Sequence, residues 1–174
     1  MKKITQPTQF EHADYYGSFI KLVDENTSVL DQLKNNAKQI EGLILSLTEL
    51  QLTTPYAEGK WTIKDIVQHL IDCERVFVYR AMRFARLDKT AQPFFDENEF
   101  AKAAKATAIP IKKLLKEYKT TRQATLSFFN NLSADTCKRA GIAGNTSTTV
   151  RALAWIICGH ELHHLGVVRE RYLS

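Results

Sequence analysis

His160-Glu161-Leu162-His163-His164-Leu165-Gly166 places three of the chain's five histidines within five residues. The stretch lies inside residues 149–172, which read as one long helix. Residues four apart on a helix sit one above the other, so His160 and His164 share a face. Leu153, Ile156, Ile157, Val167 and Val168 make the rest of that face apolar. An apolar stripe must be buried against another layer of structure. Two imidazoles therefore point toward a core, and the fold depends on what packs against them.

Three further stripes supply the answer. Residues 29–47 repeat apolar positions at three and four: Leu30, Leu33, Ala37, Ile40, Ile44 and Leu47. Residues 61–87 do the same through Ile66, His69, Leu70, Cys73, Phe77, Ala81 and Phe84. Thr62 is the expected N-cap there, with Asp65 three residues on as a capping-box variant. Trp61, just before the cap, can staple it to Ile66. Residues 110–131 carry Ile111, Leu114, Leu115, Tyr118, Thr121, Thr125, Leu126 and Phe129, with Pro110 suited to a first turn. Thr148 or Ser147 can cap the last helix. Ser28 can cap the first.

The expectation is an all-α four-helix bundle with short accessory helices and a long connection between the second and third helices. No strand and no repeat is expected. Residues 13–23 and 97–105 read as short helices and 133–138 as an extra turn. Residues 140–146 read as a flexible loop, and 1–12 as a poorly ordered arm with His12 on the surface. The division is an N-terminal arm and short helix over 1–24 and the bundle domain over 25–174.

Composition excludes several classes. At 44% hydrophobic and 25% charged, the chain is an ordinary globular one. The net charge of +5 is spread along it, without a basic block or zinc-finger spacing, so nucleic acid is not an expected partner. Cys73, Cys137 and Cys158 are odd in number and far apart, which suits reduced thiols in a cytoplasmic protein. No run has the length of a signal peptide's apolar region or of a membrane span.

In a bundle, His69, His160 and His164 face one interior. Metal sites in bundles are built from such inward side chains. Neutral imidazole suits Zn, Ni, Cu or Fe, and three protein ligands leave a coordination position open. Zinc or nickel is the expected ion. Each histidine alone would be read as a core residue satisfied by hydrogen bonds; three on facing stripes favour metal. His163 lies about 100° round the helix from His164 and flanks the site or faces another helix.

His160-Glu161-Leu162-His163-His164 also matches H-E-x-x-H, in which Glu is the general base of a zinc protease. The downstream ligand of that pattern is missing, and Glu161 points about 100° away from the His160/His164 face. Glu161 stays a weak catalytic candidate, or a partner for a basic side chain. Asp65 and Asp72 could orient an imidazole, although capping explains Asp65 better and solvation is the alternative for Asp72. Cys73 is a fourth ligand or a small buried residue. Glu74, Arg75 and Arg80 could form ion pairs in the bundle, and Trp61, Phe77, Phe94 or Trp155 could wall a pocket.

The pieces together resemble a known family. Residues 61–75 around His69, Arg83-Phe84-Ala85-Arg86, Phe95-Asp96-Glu97-Asn98, Gly159-His160-Glu161-Leu162-His163-His164 and Arg169-Glu170-Arg171-Tyr172-Leu173 look like the DinB-like (YfiT-like) superfamily of metal-dependent enzymes. The combination is specific where each piece alone is not. The resemblance covers residues 25–173. It implies a divalent metal on His69, His160 and His164, a small-molecule substrate and a homodimer. It further implies a thiol S-transferase, using a low-molecular-weight thiol, or a hydrolase. The alternative is a non-catalytic bundle that binds metal or a small ligand.

Overall fold

The structure, a computed structural model, describes residues 4–173. Two 3-10 turns, Gln9–Glu11 and Asp14–Tyr16, lead into α1 (Gly17–Ile20), followed by α2 (Val29–Leu45), α3 (Glu49–Thr53) and α4 (Ile63–Ala85). The chain continues through α5 (Glu97–Ala104), a 3-10 turn at Ala106–Ala108, α6 (Ile111–Asn130), α7 (Ala134–Cys137), β1 (Ala140–Ala143), β2 (Thr146–Thr149) and α8 (Val150–Arg171). The four long helices are those expected, and they form the four-helix bundle. Helix α2 packs on α6 and α8, and α4 packs on the same two. Sequence neighbours α2 and α4 therefore stand diagonally, as do α6 and α8, while α4 and α8 lie side by side. Among the described residues no helix is long and apolar enough to cross a membrane.

Local chemistry explains where α4 begins. The Thr62 hydroxyl accepts from the Asp65 backbone N–H, and the Asp65 carboxylate accepts from the Thr62 backbone N–H at 2.9 Å. A cap of this kind stabilises a helix end by about 1 kcal/mol. It fixes the start of α4 seven residues before His69, two turns away. Pro110 stands at the N-cap of α6 rather than inside its first turn, and Thr149, rather than Thr148 or Ser147, caps α8 by accepting from Ala152 N–H.

Three expectations are corrected. The loop at 140–146 is part of an antiparallel hairpin, with Ala140 opposite Thr149 and Ala143 opposite Thr146. Its two-residue turn is Gly144-Asn145, both at positive φ (55° and 65°), which matches the right-handed twist of paired strands. The signal was a Gly-Asn pair ahead of Thr146-Ser147-Thr148-Thr149, a short β-branched run that helix-seeking periodicity overlooks. The described part of the N-terminal arm, from Ile4 on, packs against the bundle. Ile4 is buried, and the Trp155 indole N–H donates to its carbonyl at 3.2 Å. His12 is buried as well, with Nδ1 2.9 Å from the Ala13 carbonyl oxygen.

That N-terminal packing changes the character of α8. From Ala152 to Glu161 every residue is buried, because α1 lies on the side of α8 that a plain four-helix bundle would leave to water. The approach depends on Gly159. A Cβ there would lie 2.1 Å from the Phe19 carbonyl oxygen. Gly159→Ala should therefore push α1 off the helix and cost at least the roughly 1–3 kcal/mol typical of overpacking. Urea unfolding measures this; an unchanged midpoint would contradict the contact.

The same segment is tied electrostatically. The Arg151 guanidinium donates to Glu11 through Nε at 2.6 Å, and Thr149 Oγ1 donates to the same carboxylate at 2.9 Å. The ion pair with Arg151 is the main reason that the Glu11 pKa falls from 4.5 to about 2. The unfolded chain then takes up a proton before the folded one does. The pair's contribution is fully present above about pH 4.5 and is lost as pH falls through about 2. The stability gap between wild type and Glu11→Gln should be flat at neutral pH and close across that window. A gap independent of pH down to 2 would exclude the ion pair as its source.

Candidate metal centre

His69 hangs from the second turn of α4, and His160 and His164 from successive turns of α8. Because these helices are neighbours, the three rings meet. His160 Nε2 lies 3.0 Å from His69 Nε2 and 3.1 Å from His164 Nε2. One ligand nitrogen from each histidine falls within 4.8 Å of the others. His69 and His160 are buried, and His164 nearly so.

Burial also sets their charge. Desolvation lowers the pKa of His69 to about 4 and that of His164 to about 3, and pushes His160 well below the usual histidine range. All three are neutral at pH 7. A neutral ring nitrogen offers either one N–H or one lone pair. His160 Nε2 faces two other Nε2 atoms, so a hydrogen bond can satisfy only one of the two contacts. A cation would satisfy all three lone pairs together, and a set of neutral imidazoles fits a divalent ion of the zinc or nickel kind.

Aromatic rings box the cluster. Trp61 lies 4.7 Å from the His69 ring and stacks on His164 at 6.4 Å. Phe19, from α1, lies 5.4 Å from His160 and 5.1 Å from His163. His163 is thus exposed beside the site and turned to Phe19. Cys73 is buried with Sγ 3.5 Å from His69 Nδ1. Burial raises its pKa far above the ordinary thiol value, which suits a packed protonated thiol. Asp65 is occupied by the cap, and Asp72 accepts from Gln68 Nε2 at 3.0 Å. Neither is hydrogen-bonded to an imidazole. His164 Nδ1 is buried without a hydrogen-bond partner among the described residues.

Behind the histidines lies a buried ionic cluster centred on Arg122. Its guanidinium donates to Glu74 through Nε at 3.0 Å and Nη2 at 2.8 Å, and to Glu161 through Nη2 at 2.6 Å and Nη1 at 3.1 Å. Nη1 also donates to the Leu33 carbonyl at 2.6 Å, and the Tyr118 phenol donates to Glu161. One side chain on α6 so joins α2, α4 and α8. Both Glu161 oxygens are engaged, so the general-base position of the H-E-x-x-H pattern holds an anchor for Arg122. Two carboxylates face one guanidinium, and Glu74, Arg122, Glu161 and His160 line one small void. The surplus negative charge beside His160 favours a cation there. Glu74 is the expected ion-pairing residue. Arg75 reaches Glu117 at 2.7 Å on the surface instead.

Two cavities open onto the cluster. One of about 460 Å³ is lined by His160, Tyr15, Tyr16, Phe19, Cys73, Phe77, Arg80, Phe94, Phe95, Glu97 and the hairpin turn at Gly144. The other, about 210 Å³, touches His164 beside Tyr56, Lys60, Trp61, Asn98 and Tyr172. Phe77 and Phe94 thus line the larger cavity and Trp61 the smaller. Trp155 belongs to the core, only 2% exposed. The sequence reading did not single out Phe19 as a wall, Arg122 as a buried charge or the hairpin as a rim.

A helical bundle with three converging histidines defines the class, and comparison with known proteins gives the family. The profile of the DinB superfamily matches residues 32–168, and the chain belongs to that superfamily. A "putative metal-dependent hydrolase" of Geobacillus thermodenitrificans is 36% identical over 89 residues, half of this chain and half of that protein's length. One from Oceanobacillus iheyensis is 25% identical over 146 residues, 80% of this chain and 81% of the other. Among solved structures, YfiT from Bacillus subtilis, described as "a probable metal-dependent hydrolase with an unusual four-helix bundle topology", superposes with a TM-score of 0.70. It is 19% identical, with 94% of this chain and 89% of that one covered.

Proposed function

We propose that this protein is a metal-dependent hydrolase of small molecules, with His69, His160 and His164 holding one divalent ion. The observation that carries the reading is the meeting of three neutral imidazole nitrogens, one of them on His160, which lines a cavity of about 460 Å³, a volume usual for small-ligand sites. The relatives named as metal-dependent hydrolases support it. When bound, a divalent cation with an open position supplies Lewis-acid polarisation and a water nucleophile at neutral pH. The chain's own residues do the rest. Trp61, Phe19 and Phe77 exclude bulk water from the imidazoles, and the cavity aims a substrate at the His160 side. Arg122 and Tyr118 hold Glu161, and with it the α8 turn that carries His160.

The size of the cavity supports a small-molecule substrate. The homodimer and the thiol S-transferase chemistry rest on the family resemblance alone. The deciding experiment strips the protein with a chelator and reloads it with zinc or nickel. Metal content is then measured beside turnover of an ester and amide panel and of a low-molecular-weight thiol with chlorodinitrobenzene. About one metal per chain and hydrolysis that vanishes and returns with the metal are expected. Thiol conjugation without hydrolysis would move the assignment to the transferase, and metal binding without any turnover would leave a binding module.

A further inference from the structure

Arg80 is only 6% exposed, and among the described residues no carboxylate stands within ion-pair distance of it. Buried charges are ordinarily paired, because taking a lone one out of water is costly. Arg122, more deeply buried still, follows the rule with two carboxylates. Arg80 instead donates Nη2 to the Pro93 carbonyl at 2.6 Å, lies 5.7 Å from the Phe95 ring centre and has the Tyr16 phenol beside it. A guanidinium has five N–H donors, and a carbonyl, a phenol and a ring leave this one without a counter-anion. The side chain lines the larger cavity, as do His160 and the aromatic residues Tyr16, Phe19, Phe77 and Phe95.

We propose that Arg80 is the substrate's anion-binding residue, and that the natural substrate joins an apolar or aromatic body to a carboxylate, sulfonate or phosphate group. The aromatic walls take the body, Arg80 takes the anion, and the remaining end of the molecule is presented to the histidines. Pro93 and Phe95 hold the guanidinium in place, which makes it a fixed fork suited to two anionic oxygens. Glu97 lines the same cavity from an exposed position, and its charge helps raise the pKa of Cys73 and Tyr16, but it makes no ion pair with Arg80 among the described residues. The inference rests on the proposed hydrolase reading for the direction in which the substrate points, and on the cavity alone for its charge.

The test titrates zinc-loaded protein with 3-phenylpropanesulfonate and with neutral 3-phenylpropanol by calorimetry, measuring metal content in the same samples. A sulfonate is chosen because it is a poor metal ligand. Wild type should bind the sulfonate more tightly than the alcohol. Arg80→Met should weaken the sulfonate by roughly 10–100-fold, the usual worth of a bond to a charged group, and leave the alcohol within about twofold. Arg80→Lys keeps a charge in the cavity and should fall between the two, which separates lost recognition from a disturbed fold. Equal sulfonate affinity in wild type and Arg80→Met, no preference for the sulfonate, or no sulfonate binding at millimolar concentration would each overturn the proposal. Failure to bind zinc, with the Arg80 dependence intact, would refute the metal reading and leave the anion site standing.

Discussion

His160→Ala should abolish tight metal binding while leaving the helical content unchanged. His160 Nε2 is the atom that both other histidines approach, at 3.0 and 3.1 Å, so its removal leaves two nitrogens without their common neighbour. Changes to the outer partners of a metal ligand typically lower affinity about 10–100-fold, and loss of a ligand should exceed that. Metal content after dialysis, with circular dichroism as the control, measures the effect. His163→Ala should keep its metal, since His163 faces Phe19. Full metal occupancy in His160→Ala would sink the three-histidine site, and metal loss in His163→Ala would show that the fourth histidine had been misplaced.

Arg122→Met is expected to be the most destabilising single change in the bundle. It leaves Glu74 and Glu161, each no more than 2% exposed, as uncompensated buried carboxylates. Breaking such a group from one side costs about 3–5 kcal/mol. Removing every charge at once is a different matter. Arg122→Met combined with Glu74→Leu and Glu161→Leu should recover most of the loss, because well-packed apolar residues often replace a buried ion cluster at little cost. Urea denaturation of the two variants separates the cases. A loss below about 1 kcal/mol in Arg122→Met, the range of a surface pair, would contradict the buried network.

The bundle was legible because its apolar positions recur at three and four over four long stretches, and because a Pro, a Gly-rich loop and a capping box punctuate them. The histidine triad was legible for the same reason: His69, His160 and His164 sit in phase with those stripes. Arg122 was in phase too, four residues after Tyr118 and three before Thr125. A charged residue in an apolar register is as strong a signal as a histidine, but periodicity counts apolar positions and passes over the exception. Glu161 shows the limit of angular reasoning. A residue about 100° off one buried face lands on another buried face when the helix is covered on several sides. The hairpin and the N-terminal packing were hidden because they depend on contacts between distant segments. Gly159 is unremarkable in sequence until Phe19 is placed against it, and the chain gives no local reason to expect that meeting.

The meeting of Gly159 and Phe19 also divides the labour of the chain. The three histidines lie within residues 32–168, the span of the superfamily profile, whereas Phe19, Tyr15 and Tyr16 lie before it. The candidate metal centre falls inside that span, and part of the cavity wall in front of it comes from residues ahead of it. Residues 4–24 carry none of the three histidines, so substitutions at Tyr15, Tyr16 or Phe19 reshape the cavity wall without removing a candidate ligand.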